Sequence, residues 1–370
     1  MDQIKYEHVA TQSRMSARDI QWVWGASAQF DDTLKTPPRL IEKVAKKRVE
    51  PIPFSRSNLF KRMVACEPTL FSNFPIRPRL NRNGLRNFSL LEELRFGFPQ
   101  SARARVRTEN STNYLPVPRV LDKWIGAKSV FGVTDLHYIG TRFDACMDTA
   151  GLNDFNILPR GTDGFQSQDS LVISSTGAVT DSHSDDHSGS NHSFVGTKLW
   201  LLWDTLEGLK HGLEDVERCA VYGRAAFDLQ AFLAMRTSRW ILIGPGQTMF
   251  IPADLTHKVI TLQQYLGLGS FHAGLPGFVD LLKRWTRLSP LWASRSPGDE
   301  RCSVDFITRR AIRRMQFLRK ARKSECFQWG VPYLRARLQQ SDTNDNVIDR
   351  DPAMSDKSNL KAFIHAARRL

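Results

Sequence analysis

Among the side chains of this sequence, His183, Asp185 and His257 have the types and spacing best suited to holding a reactive metal ion. The segment Thr180–Asp204, TDSHSDDHSGSNHSFVGTKLWLLWD, concentrates ligating groups: His183, Asp185, Asp186, His187 and His192. On a strand, residues two apart point to the same face, so His183 and Asp185 can grip one ion together. Asp186 and His187 compete as ligands, but strand geometry turns Asp186 to the opposite face. The third ligand must come from elsewhere. His257 is the best placed, opening an apolar run after the proline-led turn IPADLTH. Two histidines and one carboxylate on one face of an octahedron leave three positions open, as in non-haem Fe(II) oxygenases. A structural zinc site is closed by comparison.

A second group sits at fixed spacing from the first. Lys198 is followed by Leu199, Trp200, Leu201, Leu202 and Trp203, so its strand is expected to be buried on both faces. A lysine there is costly unless an anion pairs with it. The distal carboxylate of 2-oxoglutarate would be such an anion. Thr180, three residues ahead of His183, offers a hydroxyl for the same ligand. Asn191 offers an amide near the metal or the co-substrate. His187 and His192 are read as loop residues, with His192 beside the entrance. Trp200 and Trp203 are read as core.

Taken in order, the motif is His183-Ser-Asp185, Asn191, Gly196-Thr-Lys198-Leu-Trp200, the Pro245-Gly246 turn, and Pro252 through His257 to Val259. This run resembles the JmjC family within the cupin superfamily, over a stretch from Ser170 to Phe271. No PHD finger, Tudor or cysteine-rich zinc module accompanies it. The resemblance implies a double-stranded β-helix, a jelly roll, holding Fe(II) and 2-oxoglutarate, with Lys198 on the far carboxylate. It implies a dioxygenase that splits 2-oxoglutarate with dioxygen into succinate and carbon dioxide while hydroxylating a C–H bond. On an N-methyl group the same reaction ends in demethylation. A protein side chain, histone included, is the implied substrate, and the nucleus the implied location, with the cytoplasm as the alternative.

The elements that must position these groups are short. SLVISS, KLWLLWD, RWILIG, TMFIP, HKVITL and LGLGSF, between Ser170 and Phe271, are strand-length and closed by turn residues. Many short strands of this kind predict a mainly β sandwich or barrel, with flanking α-helices. One helix is expected between them, near Phe227 to Arg236. The division expected is a basic, partly helical region over 1–125, the JmjC-like domain over 126–285, and a basic helical region with a loose tail over 286–370. Helices are predicted around Ser16 to Trp24 and Arg39 to Lys47. Arg103, Arg105 and Arg107 alternate with Ala104 and Val106 in a stretch read as exposed.

The chain has 370 residues, a formal net charge of +14, and a hydrophobic fraction of 41%, enough for a sizeable core. The positive excess fits either acidic partners or merely solvated arginine-rich segments. Arg309, Arg310, Arg313, Arg314, Arg319 and Lys320 surround an apolar helix face in the last region, which opens a nucleic-acid role. A non-catalytic chromatin or nucleic-acid binding module using that helix is therefore the rival reading. The five cysteines, Cys66, Cys146, Cys219, Cys302 and Cys326, show no CxxC spacing, which argues against a disulfide framework or cysteine zinc site. No apolar run approaches the roughly 20 residues of a membrane-spanning helix, and the polar start MDQIKYEHVATQ does not read as a secretory signal.

Overall fold

The computed structural model of the protein describes residues 2–65, 67–78, 90–138, 140–148, 169–185, 188–213, 227–253 and 255–272, with isolated positions at 312, 365 and 369. The arginine-rich helix expected around Arg309 to Lys320 and the loose tail lie outside the described residues, apart from those isolated positions. Helices α1 (Asp2–Thr11), α2 (Ala17–Ser27), α3 (Ile41–Ala45), α4 (Arg56–Ala65), α5 (Leu90–Phe96) and α6 (Val117–Gly126) occupy the first part. Helices α7 (Arg142–Cys146), α8 (Thr205–Lys210) and α9 (Leu229–Ala234) come after them, the last within the span where a helix is expected.

The strands are β1 (Pro51–Ile52), β2 (Thr69–Phe71), β3 (Arg77–Pro78), β4 (Arg103–Arg107), β5 (Thr112–Pro116), β6 (Gly132–His137) and β7 (Met147–Asp148). They continue with β8 (Asp169–Ser174), β9 (Val179–Ser184), β10 (Ser188–Val195) and β11 (Lys198–Asp204). The last are β12 (Arg239–Ile243), β13 (Thr248–Ile251), β14 (Leu255–Thr261) and β15 (Tyr265–His272). The core is β-rich. One sheet has nine strands in the order β1-β2-β13-β10-β15-β8-β6-β4-β5, and a second has four in the order β12-β11-β14-β9.

Alternation along β11 shows how the layers stack. Trp200 and Leu202 join Val172, Met249 and Tyr265 of the large sheet in one apolar cluster between the sheets. Leu199, Leu201 and Trp203, on the other face of β11, pack with Trp24, Val44 and Trp240 under the N-terminal helices. The outer face of the large sheet is covered by α5 and α6, through Leu94, Val117, Leu121 and Trp124. The strand is thus buried on both faces, as its unbroken apolar run requires.

Local chemistry sets the helices. Ser16 and Asp19 close a capping box on α2. Apolar residues at Val117, Val120, Leu121 and Trp124 give α6 one buried stripe, and Ala127 ends it in a left-handed conformation. Asp204 and Asp228 cap α8 and α9.

The region 1–125 shares both the sheet and the core with the strands from β6 onward. β2 pairs with β13, and β4 pairs with β6. The indole N–H of Trp240 donates to the Val44 carbonyl at 2.7 Å, and the Gln247 amide donates to the Ala10 carbonyl at 3.1 Å. The stretch from Arg103 to Arg107 is a strand with Ala104 and Val106 fully buried, not an exposed segment. Among the described residues no helix is long and apolar enough to cross a membrane.

Candidate metal centre

His183 lies near the end of β9, Asp185 just beyond it, and His257 near the start of β14. The ladder brings the two histidines together, since His183 pairs directly with His257. Their rings lie 4.1 Å apart between centroids. Asp185 reaches the same point, with its Oδ2 3.7 Å from His257 Nε2. One ligand atom from each of the three falls within 4.8 Å of the others. An ion bonded at about 2.1 Å to each group requires only a small inward closure.

Each imidazole is aimed by its own backbone. His183 Nδ1 bonds the Asp181 carbonyl at 2.7 Å, and His257 Nδ1 bonds the Leu255 carbonyl at 3.1 Å. A carbonyl only accepts, so Nδ1 is the donor on both rings and Nε2 is the nitrogen left to meet an ion. Burial, helped by the neighbouring His183, holds the His257 pKa well below the ordinary histidine value. The ring therefore stays neutral, as a ligand must.

Strand register decides what else faces this point. Leu202 pairs with His257, Trp200 with Val259 and Lys198 with Thr261. Leu202, Trp200 and Val259 belong to the cluster between the sheets, so Lys198 and His257 face the same interior. Four residues of strand separate Leu202 from Lys198, which is roughly 13 Å. Lys198 is only 5% exposed, and no carboxylate among the described residues lies within ion-pair distance of it. Its Nζ sits 4.4 Å from the ring centre of Tyr265, across the sheets. Burial lowers its pKa from 10.5 to about 7. Beside it on the same face, the indole Nε1 of Trp200 is buried with no acceptor among the described residues.

Thr180 also faces inward, through an irregularity. His257 pairs with His183 but Val259 pairs with Thr180, so β9 carries one extra residue, a β-bulge. The bulge restores parity between two residues three apart. Asn191, opposite Met249 on β10, is inward-facing too, and its Oδ1 accepts the Tyr265 hydroxyl proton. All six residues expected at the site thus face one interior: the three ligands together, and Lys198, Thr180 and Asn191 around them.

His192 is different from expectation. It lies within β10 rather than in a loop, opposite Leu268, with 4% exposure on the outer side of the sheet. Its Nδ1 meets Thr248 Oγ1 at 2.8 Å, and burial lowers its pKa to about 4. It is a core histidine and does not line an entrance. Asp186 and His187 lie outside the described residues. Two inward groups, Tyr265 and the Trp200 N–H, are not signalled by the sequence, because an aromatic in an apolar strand reads as core.

No protein-family model matches the chain, and no curated protein matches it at a significant level.

Proposed function

We propose that the chain is an Fe(II)- and 2-oxoglutarate-dependent dioxygenase of the JmjC kind, acting on a protein side chain. The observation that carries the reading is the convergence of His183, Asp185 and His257 on the same interior as a buried Lys198 that has no carboxylate partner among the described residues. The donor set fits Fe(II): two imidazoles, one carboxylate, and no further protein ligand among the described residues. The interior also fits a dicarboxylate, since Lys198 and the Trp200 N–H are buried donors awaiting an acid. Two facing antiparallel sets, β12-β11-β14-β9 and β13-β10-β15-β8, support the double-stranded β-helix as the fold.

In this reading His183, Asp185 and His257 hold the ion, with their Nδ1 hydrogen bonds fixing ring orientation. Bound together, Fe(II) and 2-oxoglutarate supply an oxidant able to insert oxygen into a substrate C–H bond. Lys198 neutralises the distal carboxylate and Thr180 adds a hydroxyl to it. Tyr265 orients Asn191, so the amide N–H of Asn191 is left to face the ligand. Trp200, 5.3 Å from the His257 ring, walls the ligand off from bulk water on that side. Hydroxylation and N-demethylation share all of these steps.

Purified protein given Fe(II), ascorbate and dioxygen is expected to convert 2-oxoglutarate to succinate. His183→Ala is expected to abolish this conversion and the tight binding of divalent ions. Iron-loaded wild-type protein that releases no succinate, even with cell extract as a source of substrate, would overturn the proposal.

A further inference from the structure

We infer that an ion triad centred on a buried lysine, Asp31–Lys258–Asp181, positions the metal ligands from the outer face of the small sheet. The inference rests on the metal-centre reading. Lys258 directly follows His257 and is 1% exposed. Its Nζ lies 2.8 Å from Asp31 Oδ2 and 3.2 Å from Asp181 Oδ1. Asp181 in turn presents its main-chain carbonyl to His183 Nδ1. One cation therefore joins the residue next to one ligand with the residue that aims another.

The triad sits at the irregularity of the β9–β14 ladder. Lys258 is the single β14 residue between the pairs His257–His183 and Val259–Thr180, and Asp181 and Ser182 are the two β9 residues opposite it. A bulge loses regular ladder bonds at that point, so the relative placement of His183 and His257 needs another restraint. Lys258 supplies it by gripping Asp181 across the bulge. Asp31, from the segment after α2, grips the same ammonium from the other side and carries the restraint into the N-terminal layer.

Anchoring that layer does not by itself require these ions. Trp24, Leu34, Val44 and Trp240 already pack there, all fully buried. Burying Lys258 and Asp181, with Asp31 half-buried beside them, is a costly way to add adhesion, since apolar replacements often serve as well. Their location behind two ligand strands is what the cost explains. Groups that orient metal ligands from outside the ligand set typically change affinity 10–100-fold when removed.

The test uses the full chain and Co(II), whose d–d absorption reports ligand geometry. Asp31→Asn keeps the side-chain oxygen that caps Thr33 N–H but loses the charge. Asp31→Glu keeps the charge, and Lys258→Met removes the cation at similar volume. Wild type is expected to bind Co(II). Asp31→Asn and Lys258→Met are expected to bind 10–100-fold more weakly, with an altered d–d spectrum, and Asp31→Glu to recover most of both. Should Lys258→Met fail to fold, Asp31→Asn decides. Folded Asp31→Asn with wild-type Co(II) affinity and spectrum, whatever its melting temperature, would reduce the triad to a structural anchor and end the inference alone. Wild type that takes up no Co(II) would end the metal-centre reading and this inference with it.

Discussion

In the proposed reading, Lys198 shows at the level of one residue how function and stability pull apart. A lysine that is 5% exposed and has no carboxylate partner among the described residues destabilises the ligand-free fold. Its pKa is lowered to about 7 by burial, while an unfolded lysine titrates near 10.4. Between those values the unfolded chain binds more protons than the folded one. The Lys198 contribution to stability therefore rises as pH climbs from about 7 to about 10, and Lys198→Met is expected to flatten that rise in pH-dependent melting. At pH 7 the variant is expected to gain about 1–3 kcal/mol in stability while losing 2-oxoglutarate binding; a loss of stability would show that Lys198 is paired after all. A carboxylate that pairs with the charged form raises the pKa again. Binding of 2-oxoglutarate at pH 8 should therefore take up protons, seen by calorimetry in buffers of different ionisation enthalpy. No proton uptake would place the acid elsewhere. Lys198 is legible in the sequence because a lysine inside KLWLLWD is chemically out of place. Lys258 inside HKVITL carries the same signal, yet its partner Asp31 lies far off in the chain, and only the fold reveals it. His183, Asp185 and His257 are legible for the reason that ligand chemistry admits few residue types.

At the level of the element, Gly196 explains why a glycine precedes the lysine strand. Its φ is +81°, and an added Cβ would stand 1.9 Å from the Gln264 carbonyl oxygen. No side chain can occupy that turn between β10 and β11 without moving the backbone that sets Lys198 in register. Gly196→Ala is expected to destabilise the protein by on the order of 3 kcal/mol and to weaken 2-oxoglutarate binding more than metal binding. Chemical unfolding and the two ligand titrations check this; equal losses of both ligands would mean general unfolding instead of a local register error. The apolar strands β8, β11, β12, β13, β14 and β15 correspond to the runs named from the sequence, since full burial writes itself as an unbroken apolar stretch. β10, SGSNHSFV, escapes that reading and leaves His192 apparently in a loop. Its inward residues Gly189 and Asn191, opposite Ile251 and Met249, are small or polar, so the pattern that betrays a core strand is missing. β1 and β2 are two and three residues long, too short for any periodicity to appear.

At the level of the whole molecule, the N-terminal region behaves as part of the sandwich. Sequence composition sets 1–125 apart because it is mixed, basic and interrupted by Pro37, Pro38, Pro51 and Pro53. Those prolines break helices locally without ending the fold. The apolar faces of α1, α2 and α3 close over Leu199, Leu201, Trp203, Trp240, Leu242 and Ile260 of the small sheet. Burying a large apolar side chain contributes about 1.5–3 kcal/mol, so uncovering these six sacrifices on the order of 10 kcal/mol, comparable to the whole stability of an ordinary domain. It would also open an apolar patch large enough to drive aggregation. A chain beginning at Lys46 is therefore expected to lose its cooperative thermal transition, to aggregate on purification and to lose Co(II) binding. The same chain would also lack Asp31, so Asp31→Asn in the full-length protein separates the two effects. That variant should keep the cooperative transition and lose mainly affinity for the ion. Should the shortened chain melt cooperatively near the wild-type temperature, the N-terminal layer would be an appendage, and the small sheet would have to hold its ligand strands unaided.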